Sequence, residues 1–200
     1  MIGILFNNHR KRLPCQLGVT TQQVDFTQPV ICIGSKWTLS DILSTVADYG
    51  AKYVTVTGGE PLAQPQCIEL LKQLCDLGYR VSLETSGAMP VDEVDPRVFK
   101  IVDLKTPGSG EVSKNLYSNI EYLLPHDEVK FVICDRQDYD WSCMKIDELG
   151  LQGRVAEILF SPSQGVLPPA ELAKWMLHDK LNLRMQIQTH KYIFGDQPGH

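Results

Sequence analysis

From residue 30 onward the chain alternates between two kinds of segment. Short apolar runs rich in β-branched residues occupy positions 30–34, 52–57, 80–85, 98–104, 128–134, 155–160 and 183–188, and they have the length and composition of strands. Segments with apolar residues at helical spacing lie between most of them. Residues 37–49 open on Thr38 and Asp41, a T-x-x-D pair able to satisfy the free N–H groups of a first helical turn, and Gly50 follows their end. Residues 66–77 place Cys67, Leu70, Leu71, Leu74 and Cys75 on one stripe and stop at Gly78. Further helices are predicted at 115–124, 137–149 and 169–178. Pro169 stands in the first turn of the last, where its missing N–H costs nothing.

Strand–helix–strand repetition predicts a mostly parallel sheet covered by helices. Seven strands suit either a partial (β/α) barrel or an open doubly wound sheet, and in both the loops at the carboxyl ends of the strands are where chemistry collects. No internal repeat or low-complexity linker interrupts the pattern, so residues 37–200 are expected to form one domain. Residues 1–36 fit the alternation poorly. Asn7, Asn8, His9, Arg10, Lys11 and Arg12 form a polar, basic block, and 16–29 show no clear period. This head reads as a strand plus irregular chain, or as disorder.

Composition narrows the function classes. In 200 residues, 19 basic side chains against 24 acidic ones give a net charge of −5, which argues against broad electrostatic capture of nucleic acid. No apolar stretch approaches the ~20 residues of a membrane-spanning helix. The start lacks the residue order of a secretory leader, so a cytoplasmic setting is expected. There the six cysteines, Cys15, Cys32, Cys67, Cys75, Cys134 and Cys143, read as reduced thiols rather than a disulfide framework. Cys67, Cys75 and Cys134 occupy apolar positions suited to a core.

The most informative segment is VTVTGGEP at 54–61, where a strand ending at Thr57 runs directly into Gly58, Gly59 and Glu60. Two glycines at a strand end let a ligand approach the backbone and leave amide groups for a carboxylate, while Glu60 can accept from an ammonium group. An α-amino acid moiety would be held at both charges. The alternative is a tight strand-to-helix turn with Glu60 as a cap, and the residues alone leave both readings open. Other strand ends are similarly polar: Glu84, Thr85 and Ser86; Asp103, Leu104 and Lys105 before Thr106-Pro107-Gly108; Ser161, Pro162, Ser163 and Gln164; and Gln188 with His190. On a parallel sheet these converge on one rim, although ordinary loop polarity also explains each cluster taken singly. Neither a phosphate-binding G-x-x-x-x-G-K-[ST] loop, nor a dinucleotide fingerprint, nor a G-x-S-x-G elbow is present.

In order, VTVTGGEPLAQP (54–65), VSLETSGA (81–88), DLKTPGSGE (103–111), VKFVICDR (129–136), LFSPSQG (159–165) and QIQTHKYIFGD (186–196) resemble the radical S-adenosylmethionine superfamily, and more closely its 7-carboxy-7-deazaguanine synthase family. GGEP alone is a superfamily signature; the ordered set is far more specific and spans about four-fifths of the chain. The resemblance implies an α/β partial barrel. It also implies S-adenosylmethionine (SAM) bound on a [4Fe-4S] cluster and cleaved reductively to a 5′-deoxyadenosyl radical. That radical takes hydrogen from 6-carboxy-5,6,7,8-tetrahydropterin, and a magnesium-assisted ring contraction expels ammonia to give 7-carboxy-7-deazaguanine for queuosine biosynthesis. By the same resemblance Gly58, Gly59 and Glu60 would hold the methionyl end of SAM. Glu84, Ser86, Asp103, Leu104, Lys105, Ser161, Pro162, Ser163 and Gln164 would line the rest of the cofactor site, and Thr57, Gln188 and His190 would contact the pterin. An electron donor such as a flavodoxin and a homodimeric state go with the family; direct nucleic-acid or membrane binding does not.

The resemblance stops near Lys36. The family holds its cluster with an early C-x-x-x-C-x-x-C or a longer-spaced variant, follows the last cysteine with a magnesium-binding threonine, and carries an early L-Q-G-E; none of these occurs here. Cys15 and Cys32 are the only early cysteines, with sixteen residues between them, whereas a cluster that keeps one iron open for SAM needs three thiolates. Residues 1–36 are therefore expected to be an atypical segment, either disordered, a frameshifted or mis-started reading, or a real divergence, and reconstitution is expected to give well under one cluster per chain. A bare sheet edge would follow from the loss of the first strand. The alternative function is an inactive remnant or a non-enzymatic protein binding SAM or a nucleoside.

Overall fold

The computed structural model describes residues 2–7, 16–21 and 37–189. In chain order its main elements are β1 (Ile2–Asn7), β2 (Gln16–Thr21), α1 (Leu39–Asp48), β3 (Tyr53–Gly58), α2 (Cys67–Asp76), β4 (Arg80–Thr85), β5 (Phe99–Leu104), β6 (Glu128–Ile133), α3 (Arg136–Glu148), β7 (Glu157–Pro162), α4 (Pro169–His178) and β8 (Arg184–Met185). They fall into two compact units. The first comprises β1–β4, α1, α2 and the segment Val91–Lys100; the second comprises Ser86–Pro90, the rest of β5, and β6–β8 with α3 and α4.

In the first unit β1 and β4 flank β3 in parallel, with Val54 opposite Val81 and Val56 opposite Leu83. Successive side chains of a strand point to opposite faces. Val54, Val56, Val81 and Leu83 accordingly pack with Ile42, Val46, Leu70, Leu71 and Leu74 of the two helices in one core. The alternate positions, Thr55, Thr57, Ser82 and Glu84, are polar and half-buried. Helix α1 begins as the T-x-x-D pair predicts: Thr38 Oγ1 accepts from Asp41 N at 3.2 Å, and Asp41 Oδ2 accepts from Thr38 N at 3.0 Å. The expected bare edge is not seen. β1 runs along β3, with β2 antiparallel on its outer side. The strand predicted at 30–34 lies outside the described residues.

In the second unit β5, β6, β7 and β8 are parallel in that order. Val102, Leu104, Val129, Phe131, Ile133 and Phe160 meet Tyr139, Ile146 and Leu172 in its core. Edge-to-face contacts link Phe131, Phe160, Tyr139 and Trp175, with ring centroids 5.6–5.8 Å apart.

Two expected elements differ. The helix expected at 115–124 is a pair of short 3₁₀ turns, Val112–Lys114 and Tyr117–Tyr122. Asn115, Tyr117, Ser118, Asn119 and Ile120 are weak helix formers, and the Leu116 amide is taken by the Gly87 carbonyl at 3.0 Å. The strand expected at 183–188 keeps only Arg184 and Met185. Its ladder on β7 continues with one bond from Gln186 N to Phe160 O at 2.9 Å. Pro162, which lacks an N–H, closes it.

Within the first unit, the Arg97 guanidinium bridges Asp95 at 2.6 Å and Asp76 at 2.7 Å. Its hydrogen bonds hold the Asp95 carboxyl down at about 2. Because the folded value is lowered, the stabilisation is present above the ~3.9 of an unfolded aspartate and is lost as pH falls through about 2. Asp95→Asn is therefore expected to lower stability in denaturant titrations at pH 7, with the deficit falling most of the way back to the parent at pH 2. An equal deficit at both pH values would contradict the assignment.

Candidate functional site

In the first unit, Gly58 ends β3 with φ +125°, a conformation that side-chain-bearing residues rarely adopt. The chain then turns through exposed Gly59 into Glu60, which caps a 3₁₀ turn over Pro61–Ala63 by accepting from Leu62 N at 3.1 Å. The cap reading of Glu60 is thus present in the structure. Thr85, at the end of β4 and only 2% exposed, reaches both carboxylate oxygens of Glu60 at 2.9 Å. Thr57 Oγ1 donates to Glu84 Oε2 at 3.4 Å. Among the residues named from sequence, this unit brings together Thr57, Gly58, Gly59, Glu60 and Glu84. Thr85, named from sequence only as part of a polar strand end, joins them; its buried contact with Glu60 was not visible.

In the second unit, Asp103 opposes Lys130 across β5 and β6. Lys105 Nζ lies 2.9 Å, and Lys130 Nζ 3.8 Å, from Asp103 Oδ2, while the buried Asp103 Oδ1 has no hydrogen-bond partner. Leu104 packs its side chain in the core at 1% exposure, so only its backbone is left to face a ligand. Ser161 is equally buried, which leaves Ser163 and Gln164 as the accessible polar side chains of their loop. Pro162, Gln164, Val166, Ile187 and Gln188 contribute to a cavity of about 210 Å³. That is below the roughly 300–1,000 Å³ of complete small-molecule sites. Ser86 belongs to the same unit, whereas His190 lies outside the described residues.

Sequence reasoning also missed Asp138. This α3 residue is 1% exposed, and its carboxylate accepts from Gly108 N at 2.7 Å, Thr106 Oγ1 at 3.0 Å and Cys134 N at 3.0 Å. Asn115 closes the neighbouring residue from the other side. Its amide accepts from Lys105 N at 2.8 Å and donates to Lys105 O at 2.9 Å. Asn119 similarly donates to the carbonyls of Gly87 and Met89 at 3.3 and 2.9 Å.

The chain matches no family model. Three curated relatives, each named 7-carboxy-7-deazaguanine synthase, align over most of it. The protein of Chlorobaculum tepidum is 43% identical over 165 residues, 81% of this chain and 74% of the relative. That of Koribacter versatilis is 40% identical over 154 residues, 70% and 68% of the two chains. That of Leptospira interrogans is 35% identical over 182 residues, 83% and 75%. The chain belongs to the 7-carboxy-7-deazaguanine synthase family.

Solved structures agree on the architecture. Streptococcus suis SuiB bound to S-adenosylmethionine superposes with a TM-score of 0.55 at 13% identity, covering 78% of this chain and 43% of that one. Archaeal TYW1 gives 0.55 at 16% identity, over 72% and 61%. The fold is the α/β partial barrel of the radical SAM type, with an unclosed sheet. Among the described residues, no helix is long and apolar enough to cross a membrane.

Glu60, a carboxylate fixed by Leu62 N and Thr85 beside two glycines at a strand end, fits the ammonium of SAM's amino-acid end. The cluster is different. No three His, Cys, Asp or Glu side chains among the described residues are grouped to hold a metal. Burial pushes the Cys67 thiol, with help from the Glu60 charge, up to about 12. It also raises Cys75, Cys134 and Cys143, whereas a cluster ligand must be a thiolate. The described residues do not fit a [4Fe-4S] cluster, and Cys15 and Cys32 lie outside them. In iodoacetamide labelling of the folded protein at pH 8, Cys67 is expected to stay unmodified and to react on unfolding. Native labelling at the rate of a free thiol would contradict the buried, protonated assignment.

Proposed function

We propose that this protein acts in the synthesis of 7-carboxy-7-deazaguanine from 6-carboxy-5,6,7,8-tetrahydropterin, with SAM as cofactor, as a carbon–nitrogen lyase of queuosine biosynthesis. The observation that carries the reading is 43% identity to a 7-carboxy-7-deazaguanine synthase over 81% of the chain. The strand-end chemistry supports it. Gly58 and Gly59 amides bind the methionyl carboxylate of SAM, and Glu60, fixed by Leu62 and Thr85, accepts from the ammonium. Glu84, Ser86, Asp103, the Leu104 backbone, Lys105, Pro162, Ser163 and Gln164 serve the remainder of the cofactor, with Ser161 holding its loop from within. Thr57, Gln188 and His190 serve the pterin.

When bound, SAM supplies the hydrogen-abstracting chemistry of its superfamily; this chain's described residues bind and orient. Fixing a ligand before reaction removes entropy from the barrier, and a displacement of 1 Å can cost about a hundredfold in rate. Magnesium, a flavodoxin-type electron donor, homodimeric pairing and a cytoplasmic setting accompany the family reading.

The test is turnover. Protein reconstituted anaerobically with iron and sulfide is incubated with SAM, magnesium, a flavodoxin-type donor and the pterin. Formation of 7-carboxy-7-deazaguanine in proportion to the cluster carried, reduced about a hundredfold in Glu60→Ala, is the expected result. SAM binding with no product from cluster-loaded protein would overturn the synthase reading in favour of a binding protein.

A further inference from the structure

Asp138 is a carboxylate buried to 99% with no cation among its hydrogen-bond partners. Burying such a group is costly unless its acceptor sites are filled, and here they are filled from two separate stretches of chain. Thr106 and Gly108 belong to the segment leaving β5, and Cys134 to the segment leaving β6. Gly108 is shaped to this contact: a Cβ built there would lie 2.5 Å from Asp138 Oδ2 and 3.1 Å from Cys134 Cβ. The same Thr106 hydroxyl lies 2.9 Å from Val132 O, so its single proton is shared between that carbonyl and Asp138 Oδ2, and the segment is tied to β6 as well. Beside it, Asn115 occupies both backbone groups of Lys105. Residues 105, 106 and 108 are thereby held through side chains rather than by the strand ladder, whose last register pair on β6 is Leu104 with Phe131.

We infer that Asp138 and Asn115 are positioning residues: together they lock the segment after β5 so that Lys105, paired with Asp103, presents its ammonium in one place before any ligand arrives. The inference deepens the proposed function, because it rests on Lys105 belonging to the SAM site. Neither residue touches the cofactor; each acts through backbone groups. Asp138→Asn retains the shape but places an NH₂ where the carboxylate accepts from two backbone amides, so at least one of the Gly108 and Cys134 amides loses its acceptor. Thr106→Val removes only the hydroxyl, and Thr106→Ser restores it.

Two readouts on the full chain test this. Hydrogen–deuterium exchange in the absence of ligand reports the segment directly. Asp138→Asn and Asn115→Ala are expected to speed exchange across 104–110 by at least about tenfold, with α2 unchanged, as expected for a local opening rather than global unfolding. Thr106→Val is expected to do so more weakly and Thr106→Ser not at all. Calorimetric titration with SAM reports the consequence: Lys105→Ala and Asp138→Asn should each weaken binding about tenfold, a typical loss when the support of a first contact is removed. Unchanged exchange in both Asp138→Asn and Thr106→Val would overturn the inference, and Thr106→Val serves if Asp138→Asn fails to fold. Faster exchange with SAM affinity unaffected by Lys105→Ala supports the lock and instead removes Lys105 from the cofactor site.

Discussion

Parallel strands end in segments whose backbone groups the ladder no longer pairs, and this constraint organises the polar contacts around the candidate site. A buried N–H or C=O without a partner costs about 1–3 kcal/mol, so each strand end must borrow partners from elsewhere. After β5 they are Asp138 and Asn115; after β4, Asn119 receives the turn at Gly87; after β3, Glu60 caps its own turn and is fixed by Thr85. The candidate segments after β3, β4 and β5 are consequently tied down by side chains.

The tie-down has a functional reading. A loop that must be ordered by its ligand loses part of the binding energy to that ordering, whereas a preformed one does not. Strand alternation supplies the rest of the arrangement. On β3 and β4 the buried positions are Val54, Val56, Val81 and Leu83, and the intervening ones are Thr55, Thr57, Ser82 and Glu84, with Thr55 and Ser82 hydrogen-bonded at 2.8 Å. On β5 and β6, Val102, Leu104, Val129 and Phe131 alternate with Asp103 and Lys130 in the same way. On β3 to β6 one face is thus spent on core while the other carries these polar side chains, whereas β7 is buried on both faces.

Much of this is legible in the order of the amino acids. Period-2 and period-3.6 patterns locate strands and helices, the cap at Thr38 and the first-turn Pro169 mark helix starts, and the ordered strand-end motifs point to the family. The rest is hidden for identifiable reasons. Asp138 follows Asp135, Arg136 and Gln137 and precedes Asp140, so it reads as one more charge on a solvated helix face; only the approach of Gly108 shows it to be buried. Leu116, Ile120 and Leu123 have helical spacing, but their neighbours Asn115 and Asn119 spend their amides on distant carbonyls, and the segment tightens to 3₁₀ turns. Leu104 and Ser161 belong to motif segments, yet alternation and packing turn their side chains inward. His190, Cys15 and Cys32 fall outside the described residues.

The proposed chemistry turns on the strand-end amides of Gly58 and Gly59, with Glu60, receiving the amino-acid end of SAM. Titration of ¹⁵N-labelled protein with SAM, followed by two-dimensional amide NMR, decides whether they do. Saturable shifts are expected at Gly58, Gly59, Glu60 and Thr85, reproduced by S-adenosylhomocysteine and not by adenosine alone. Shifts absent from these four residues while appearing on the outer faces of the helices would contradict that placement.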